Sequence, residues 1–274
     1  MDLSKIYKKR DEWVHKGQFG TLLVVAGCRD LTGSPIFNAM AALRAGCDLV
    51  MVVSPERSAD VAASYSPDIL TSPLPGDFLR NEHIPTITSL AEESTAVVIG
   101  GGLGRSEEIF AVIRQILGKI EKPVVIDAEA LRALGSHLEV ISGKSAILTP
   151  HANEMLALSG QKVGENLETR KKVAQEFAKK FKTTLLLKGH VDVVASGDKV
   201  YLNQTGSPLM TKGGFGDTLA GICGGLLARG IEPFETACAA AYINGKAGEL
   251  ACREKGEAVL ASDIFDFIPK VISR

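Results

Sequence analysis

Residues 205–230 read TGSPLMTKGGFGDTLAGICGGLLARG. A polar, glycine-dense loop carrying Gly206, Gly213, Gly214 and Gly216 meets Asp217. It then passes without a break into the apolar run Leu219, Ala220, Ile222, Cys223, Leu226, Leu227 and Ala228. Glycine has no Cβ, so its backbone N–H can come close to an anion. The positive end of a following helix favours negative charge at the same place. The stretch therefore reads as an anion nest that opens an apolar helix. Asp217 stands where a phosphate is expected, and like charges repel. The residues leave three readings of it open: a cap for the helix, a base toward a hydroxyl under attack, or a ligand for a metal that neutralises both groups.

Outward from this loop, apolar runs alternate with helical segments. Strands are predicted at residues 21–26 (TLLVVA), 49–53, 96–99, 123–126, 146–148 and 184–187, with a weak one at 68–71. Residues 191–195 and 199–202 predict a hairpin turning at Ser196, Gly197 and Asp198. Helices are predicted over 34–45, capped by Ser34 and started by Pro35, and over 105–119 and 166–181. A shorter helix follows His151, and three more run over 217–229, 233–252 and 262–271. Strands that read as continuous apolar runs, separated by helices, argue for a mostly parallel sheet covered on both faces. No composition shift, linker or repeat divides the chain, so a single domain is expected.

Composition narrows the function classes. Of 274 residues 45% are hydrophobic and 23% charged, the net charge is −1, and no dense lysine–arginine run or aromatic platform suggests nucleic acid. No apolar stretch reaches the roughly 18 residues of a membrane span, and the first residues, MDLSKIYKKRDEW, lack the apolar core of a signal peptide. Cys28, Cys47, Cys223, Cys238 and Cys252 show no metal-binding spacing and sit among small apolar residues. A reduced, cytoplasmic protein acting on small molecules is the expectation.

Ligands of open α/β sheets bind beyond the carboxyl ends of the strands. Four further loops fall there. GGGLG at 100–104 follows VVI, but its spacing is not the dinucleotide fingerprint, and tight turns use glycine for packing as well. Asp127 ends PVVI and fits a helix cap equally well. In TPHANE, His151 and Glu154 share a helical face. The pair could orient water or a magnesium ion, or His151 could simply be a turn histidine; one histidine and one acid do not make a zinc site. Lys188 ends LLLK, where burial is costly unless the ammonium reaches solvent or an anion, which suits a phosphate contact.

In order, HKGQFGTLLVVAG, LTGSPIFNAMAALRAG, VVIGGGLGR, VVIDAEAL, ILTPHANEM, LLLKGHVDVV and NQTGSPLMTKGGFGDTLAG closely resemble the NAD(P)H-hydrate dehydratase family. The resemblance covers nearly the whole chain. It implies a ribokinase-like α/β fold, with a mostly parallel central sheet flanked by helices on both faces. It also implies one domain over residues 1–274, without the epimerase domain that some relatives carry fused. The activity implied is dehydration of (6S)-NADHX or NADPHX to NADH or NADPH at the expense of an adenine nucleotide. Bacterial and archaeal members use ADP and release AMP and phosphate; animal and fungal ones use ATP.

Carried over by motif, Ser34, Gly104, His151 and Asp217 would contact the hydrated nicotinamide nucleotide. Lys188, Gly189, His190, Val191, Asp192, Gly213, Gly214 and Gly216 would contact the adenine nucleotide. Asp217 would take the proton from the substrate hydroxyl, and Mg2+, placed through Glu154, would bridge the phosphates. The family also implies an NAD(P)HX epimerase as functional partner and a homotetramer. The chain departs from the usual motifs at Ser34-Pro35, at Phe215 in GGFGD, at Asn153 in TPHANE and at Glu129 in DAEAL. A ribokinase-like kinase for a vitamin precursor or sugar is the rival enzyme, and a nucleotide sensor without turnover the rival of another class.

Overall fold

The computed structural model describes residues 1–273. Its elements, in chain order, are β1 (Thr21–Val25), α1 (Gly33–Arg44), β2 (Leu49–Pro55), α2 (Glu56–Tyr65), β3 (Leu70–Leu74), α3 (Ile84–Glu93), β4 (Ala96–Ile99) and α4 (Glu107–Lys119). There follow β5 (Val124–Ile126), α5 (Ala128–Leu134), β6 (Ala146–Leu148), α6 (Ala152–Ser159), α7 (Leu167–Phe181), β7 (Thr184–Leu187), β8 (Asp192–Ser196) and β9 (Lys199–Asn203). Three helices complete the chain: α8 (Phe215–Ala228), α9 (Pro233–Lys255) and α10 (Ile268–Ile272).

The strands form one nine-stranded sheet in the order β3-β2-β1-β4-β5-β6-β7-β8-β9. The first seven in that order run parallel, and β8 and β9 add an antiparallel hairpin at one edge. Alternate residues of a strand face opposite sides, and here both sides are buried. Leu22 and Val24 join a core with α1, α8 and α9, while Leu23 and Val25 join one with α3 to α7. The apolar runs of the sequence are therefore two-sided strands, as the parallel-sheet expectation requires.

Helix α8 is the element on which the site is mounted. Beyond its first turn every residue from Thr218 to Ala228 is buried. Its glycines allow that depth: a Cβ on Gly221 or Gly225 would overlap or crowd the backbone of Asn38 or Ala42 in α1, and one on Gly224 would overlap Val98 in β4. Helix and sheet thus approach more closely than side chains permit.

Several boundaries differ from the sequence expectation. The strand expected at 68–71 lies at Leu70–Leu74 and includes Pro73, which an edge strand tolerates because no neighbour needs its N–H. Helices α2, α3 and α5 were not foreseen. α2 is polar with few large apolar residues, α3 is rich in β-branched residues, and α5 has only seven residues. The helix expected over 262–271 is a 3-10 turn at Ala261–Asp266 followed by α10, because Pro269 cannot donate the backbone bond that would join them.

Candidate active site

The strand order reverses at β1, which has β2 on one side and β4 on the other. Loops after β1 and β4 diverge there and leave the crevice typical of open α/β sheets. The amino end of α8 points into it. Gly214, not Asp217, holds the cap position of α8, with φ 97°, a conformation glycine adopts without steric cost. Asp217 is the third helical residue, so the cap reading of this acid is corrected. Ser34 is likewise not a cap: Thr32 precedes α1, and Ser34 is its second residue.

Ser34 and Asp217 converge on Gly101. A Cβ at that glycine would overlap Asp217 Oδ1 and crowd the Ser34 side chain. Asn38 of α1 donates from Nδ2 to the Asp217 carbonyl at 2.7 Å, which ties the two helices at the acid. Burial, reinforced by the charge of Asp127, pushes the Asp217 carboxyl up to about 7, against the pull of the Ser34 hydroxyl and the Lys188 ammonium. A carboxylate poised there suits proton abstraction at neutral pH.

The GGGLG loop is held from below. Glu129 of α5 is 5% exposed; its Oε2 accepts from Gly102 N at 3.0 Å and its Oε1 from Arg105 Nε at 3.1 Å. The glutamate that departs from the usual motif therefore fastens the loop containing Gly104.

Lys188 extends from the end of β7 into a carboxylate cluster. Its Nζ lies 3.0 Å from Asp127 Oδ1 and 3.8 Å from Glu154 Oε2. Burial works against its charge, but Asp127 and Glu154 outweigh burial and hold the ammonium's pKa above its ordinary value. Thr149 Oγ1 donates to the same Asp127 oxygen at 2.7 Å. Asp127 occupies the cap position of α5 without a side-chain capping bond, so its carboxylate serves Lys188 and Thr149 instead.

His151 caps α6. Its Nδ1 accepts from Asn153 N at 3.1 Å and Glu154 N at 3.3 Å, while Glu154 Oε2 accepts from His151 N at 2.8 Å. This reciprocal capping box leaves the imidazole half exposed at the crevice and assigns its proton to Nε2. Glu154 is thereby committed to His151 and Lys188. Among the described residues no group of three His, Cys, Asp or Glu side chains is placed to hold a metal ion. A magnesium ion held by one or two carboxylates together with the nucleotide's phosphates needs no such group.

On the far side of Lys188 lies a cavity of about 440 Å³. Its lining includes Lys188, Gly189, His190, Asp192 and Gly216, together with Phe215, which is buried. Phe215 of GGFGD thus lines the cavity while its side chain belongs to the core. Asp192 is fixed by Gly189 N to Oδ1 and Asn203 Nδ2 to Oδ2, both at 3.0 Å, and Asn203 in turn accepts from Thr205 Oγ1 at 2.9 Å. Val191 faces a neighbouring cavity of about 590 Å³ instead, with His190 and Arg170, while Gly213 and Gly214 belong to the approach loop. Sequence reasoning did not single out Asn38, Thr149, Arg170, Asn203 or Thr205 as functional. Asn38, Thr149, Asn203 and Thr205 lie within the quoted motifs, but their contacts are made by folding; Arg170 lies in no motif.

A glycine-capped helix start, a partly buried lysine and a raised carboxyl beyond the carboxyl ends of these strands sit on a ribokinase-like α/β fold. A ribokinase-like superfamily protein from Enterococcus faecalis shares this fold, with a TM-score of 0.85 at 23% identity, covering 99% of this chain and 93% of that one. The family model described as NAD(P)H-hydrate dehydratase matches residues 22–270, and the chain belongs to that family. It is 36% identical over 272 residues to the ADP-dependent (S)-NAD(P)H-hydrate dehydratase of Cenarchaeum symbiosum, covering 99% of this chain and 94% of that protein. It is 40% identical over 261 residues to the bifunctional NAD(P)H-hydrate repair enzyme Nnr of Pyrobaculum aerophilum, covering 94% of this chain and 52% of that protein. The chain spans about half the length of the bifunctional relatives it matches. The ADP/ATP-dependent NAD(P)H-hydrate dehydratase of Bacillus subtilis, co-crystallised with ATP and Mg2+, superposes with a TM-score of 0.82 at 27% identity, covering 99% of this chain and 95% of that one.

Proposed function

We propose that this protein dehydrates (6S)-NADHX and NADPHX to NADH and NADPH, with ADP as phosphoryl donor and AMP and phosphate as products. The observation that carries the reading is the meeting of Asp217 and Ser34 at Gly101, with Lys188 and the 440 Å³ cavity beside the same helix start. The nicotinamide hydrate contacts Ser34, Gly104, His151 and Asp217. The adenine nucleotide takes Lys188, Gly189, His190, Val191 and Asp192 on one side and Gly213, Gly214 and Gly216 on the other. Magnesium arrives as the counter-ion of the nucleotide, and no step is assigned to a resident metal. Glu154 works through Lys188 and His151.

Hydroxide is a poor leaving group and phosphate a good one. In the first step the substrate hydroxyl oxygen bonds to the terminal phosphorus of ADP, the bond to AMP breaks, and Asp217 takes the hydroxyl proton. Backbone N–H groups at Gly213, Gly214 and Gly216 and the Lys188 ammonium receive the charge on the transferring group. In the second step the ring nitrogen's electron pair expels phosphate, and loss of a proton from the adjacent ring carbon restores the dihydronicotinamide. Positive groups are needed where two negative ones must meet, and α8 supplies them at its amino end.

The test incubates purified protein with hydrated NADH and either ADP or ATP. Return of the reduced-nicotinamide absorbance, with AMP and phosphate formed from ADP, is the expected result. Accumulation of a phosphorylated small molecule without that absorbance would instead mark a kinase. Nucleotide binding without turnover would mark a sensor. The five free cysteines, all buried, suit the cytoplasm, where we place the reaction beside an NAD(P)HX epimerase.

A further inference from the structure

Arg170 lies in the first turn of α7 and is 7% exposed. Its Nη2 donates to the carbonyl oxygens of Leu187 at 3.3 Å and Lys188 at 2.9 Å. The Lys188 N–H, on the other side of that residue, donates to the Pro150 carbonyl at 2.8 Å. The backbone of Lys188 is therefore clamped between the loop after β6 and a guanidinium from α7. The next residue is Gly189, and a Cβ there would overlap Arg170 Nη2. Its φ lies outside the left-handed region that favours glycine, so the requirement the structure shows at Gly189 is room. Asp192 closes the far end of the loop by accepting from Gly189 N.

We propose that Arg170 is a positioning residue for nucleotide binding: its guanidinium holds the Leu187 and Lys188 carbonyls through Nη2 and so fixes the backbone from which the Lys188 ammonium reaches the nucleotide phosphates. The inference rests on reading residues 188–192 as the nucleotide loop, and goes beyond it by naming what holds that loop. Arginine suits the task because one rigid, always-charged group grips two carbonyls at fixed spacing. Hydrogen bonds from a charged donor are about twice as strong as neutral ones. With the clamp in place the ammonium rests 3.0 Å from Asp127 and 3.8 Å from Glu154, so the clamp fixes the backbone from which the lysine swings and not the partner it holds.

Arg170→Met, Arg170→Lys, Arg170→Ala, Gly189→Ala and the Arg170→Ala/Gly189→Ala double variant test the proposal. ADP affinity is measured by calorimetry, alongside kcat and the KM values for ADP and hydrated NADH. Arg170→Met is expected to raise the dissociation constant and KM of ADP about tenfold, to change kcat less than about threefold, and to leave the KM for hydrated NADH alone. Arg170→Lys, which keeps the charge without the fork, regains part of the loss. Gly189→Ala weakens ADP binding in the wild-type background but adds nothing once Arg170 is alanine, because the space is then vacant. Wild-type ADP affinity in Arg170→Lys, or full additivity of the Arg170→Ala and Gly189→Ala effects, overturns the proposal, even if Arg170→Met fails to fold. A fall in kcat with ADP affinity unchanged overturns it too. Should the wild-type protein bind ADP yet leave hydrated NADH unconverted, the functional reading falls, and the calorimetry still decides the role of Arg170.

Discussion

At Asp217 two demands compete. The acid must lose its proton to act as a base, yet burial and the charge of Asp127 oppose ionisation and place its pKa at about 7. In the free enzyme kcat/KM is therefore expected to rise with pH and level off above about 7, a profile that Asp217→Asn abolishes together with roughly 10²–10⁴-fold of the rate. Nucleotide binding, read by calorimetry, survives the substitution. Stability follows the same shift with a definite sign. The unfolded chain releases this proton near 3.8 and the folded one near 7, so the folded state loses stability as pH climbs between those values. Asp217→Asn should then raise Tm by several degrees at pH 8, where up to about 4 kcal/mol is relieved, and by much less at pH 4. An equal gain at both pH values would contradict the burial argument.

Lys188 makes the complementary case. Removing its charge leaves Asp127 and Glu154 buried beside each other without a counter-ion. Lys188→Met is expected to cost about 3 kcal/mol of unfolding free energy as well as ADP affinity. Adding Asp127→Asn should restore part of the stability and none of the affinity, a difference that urea melts and calorimetry separate. Of these residues, Asp217 and Lys188 were legible in the sequence, since each is a charge at the end of an apolar run. Asp127 was seen only as an acid fit for a cap, because nothing local reveals that Thr149 and Lys188 would reach it.

Among the elements, α8 does most to shape the site. Its start is set by Gly214, whose φ of 97° turns the chain into the helix and whose missing Cβ leaves room for Phe37 and Ala261. Gly214→Ala is expected to cost about 2 kcal/mol or more in thermal or urea unfolding, and to weaken ADP binding further by tilting the nest. Recovery of neither loss by added ADP would show that the nest itself is displaced. The long, strongly apolar elements, including β1, β4, β7 and α8, were read from sequence nearly to their ends. α2, α3 and α5 escaped because they are short and bury few large apolar side chains, although the buried residues Ile84, Ile87 and Ala91 of α3 do recur at helical spacing. The hydroxyl of Ser34 illustrates the same limit. Locally it is a good cap, but the helix begins one residue earlier and turns it toward Asp217.

For the whole molecule, the alanine-rich face of α9 can be placed. Ala237, Ala240, Ala241 and Ala247 are buried within the chain itself, so that face is core and is not available to a partner. A homotetramer, expected only from the family resemblance, would have to use other surfaces. Its mass, about 116 kDa from four 29.1 kDa chains, is checked by light scattering. No described helix is long and apolar enough to cross a membrane.

The order of apolar runs and of glycine-, lysine- and aspartate-bearing loops was enough to determine the parallel sheet, the glycine-rich start of α8 and the family, because these depend on periodicity and on residue types at strand ends. Only the folded chain decided how those loops meet. It put Asp217 beside Ser34 across a bare Gly101, locked Lys188 between two carboxylates, and set Arg170 against the end of β7 from a helix that carries no motif. Such pairings join residues separated by up to 183 positions, as Ser34 and Asp217 are, and no local pattern specifies them. They are selected when both faces of one sheet are buried at once and the helix starts are carried to its carboxyl edge.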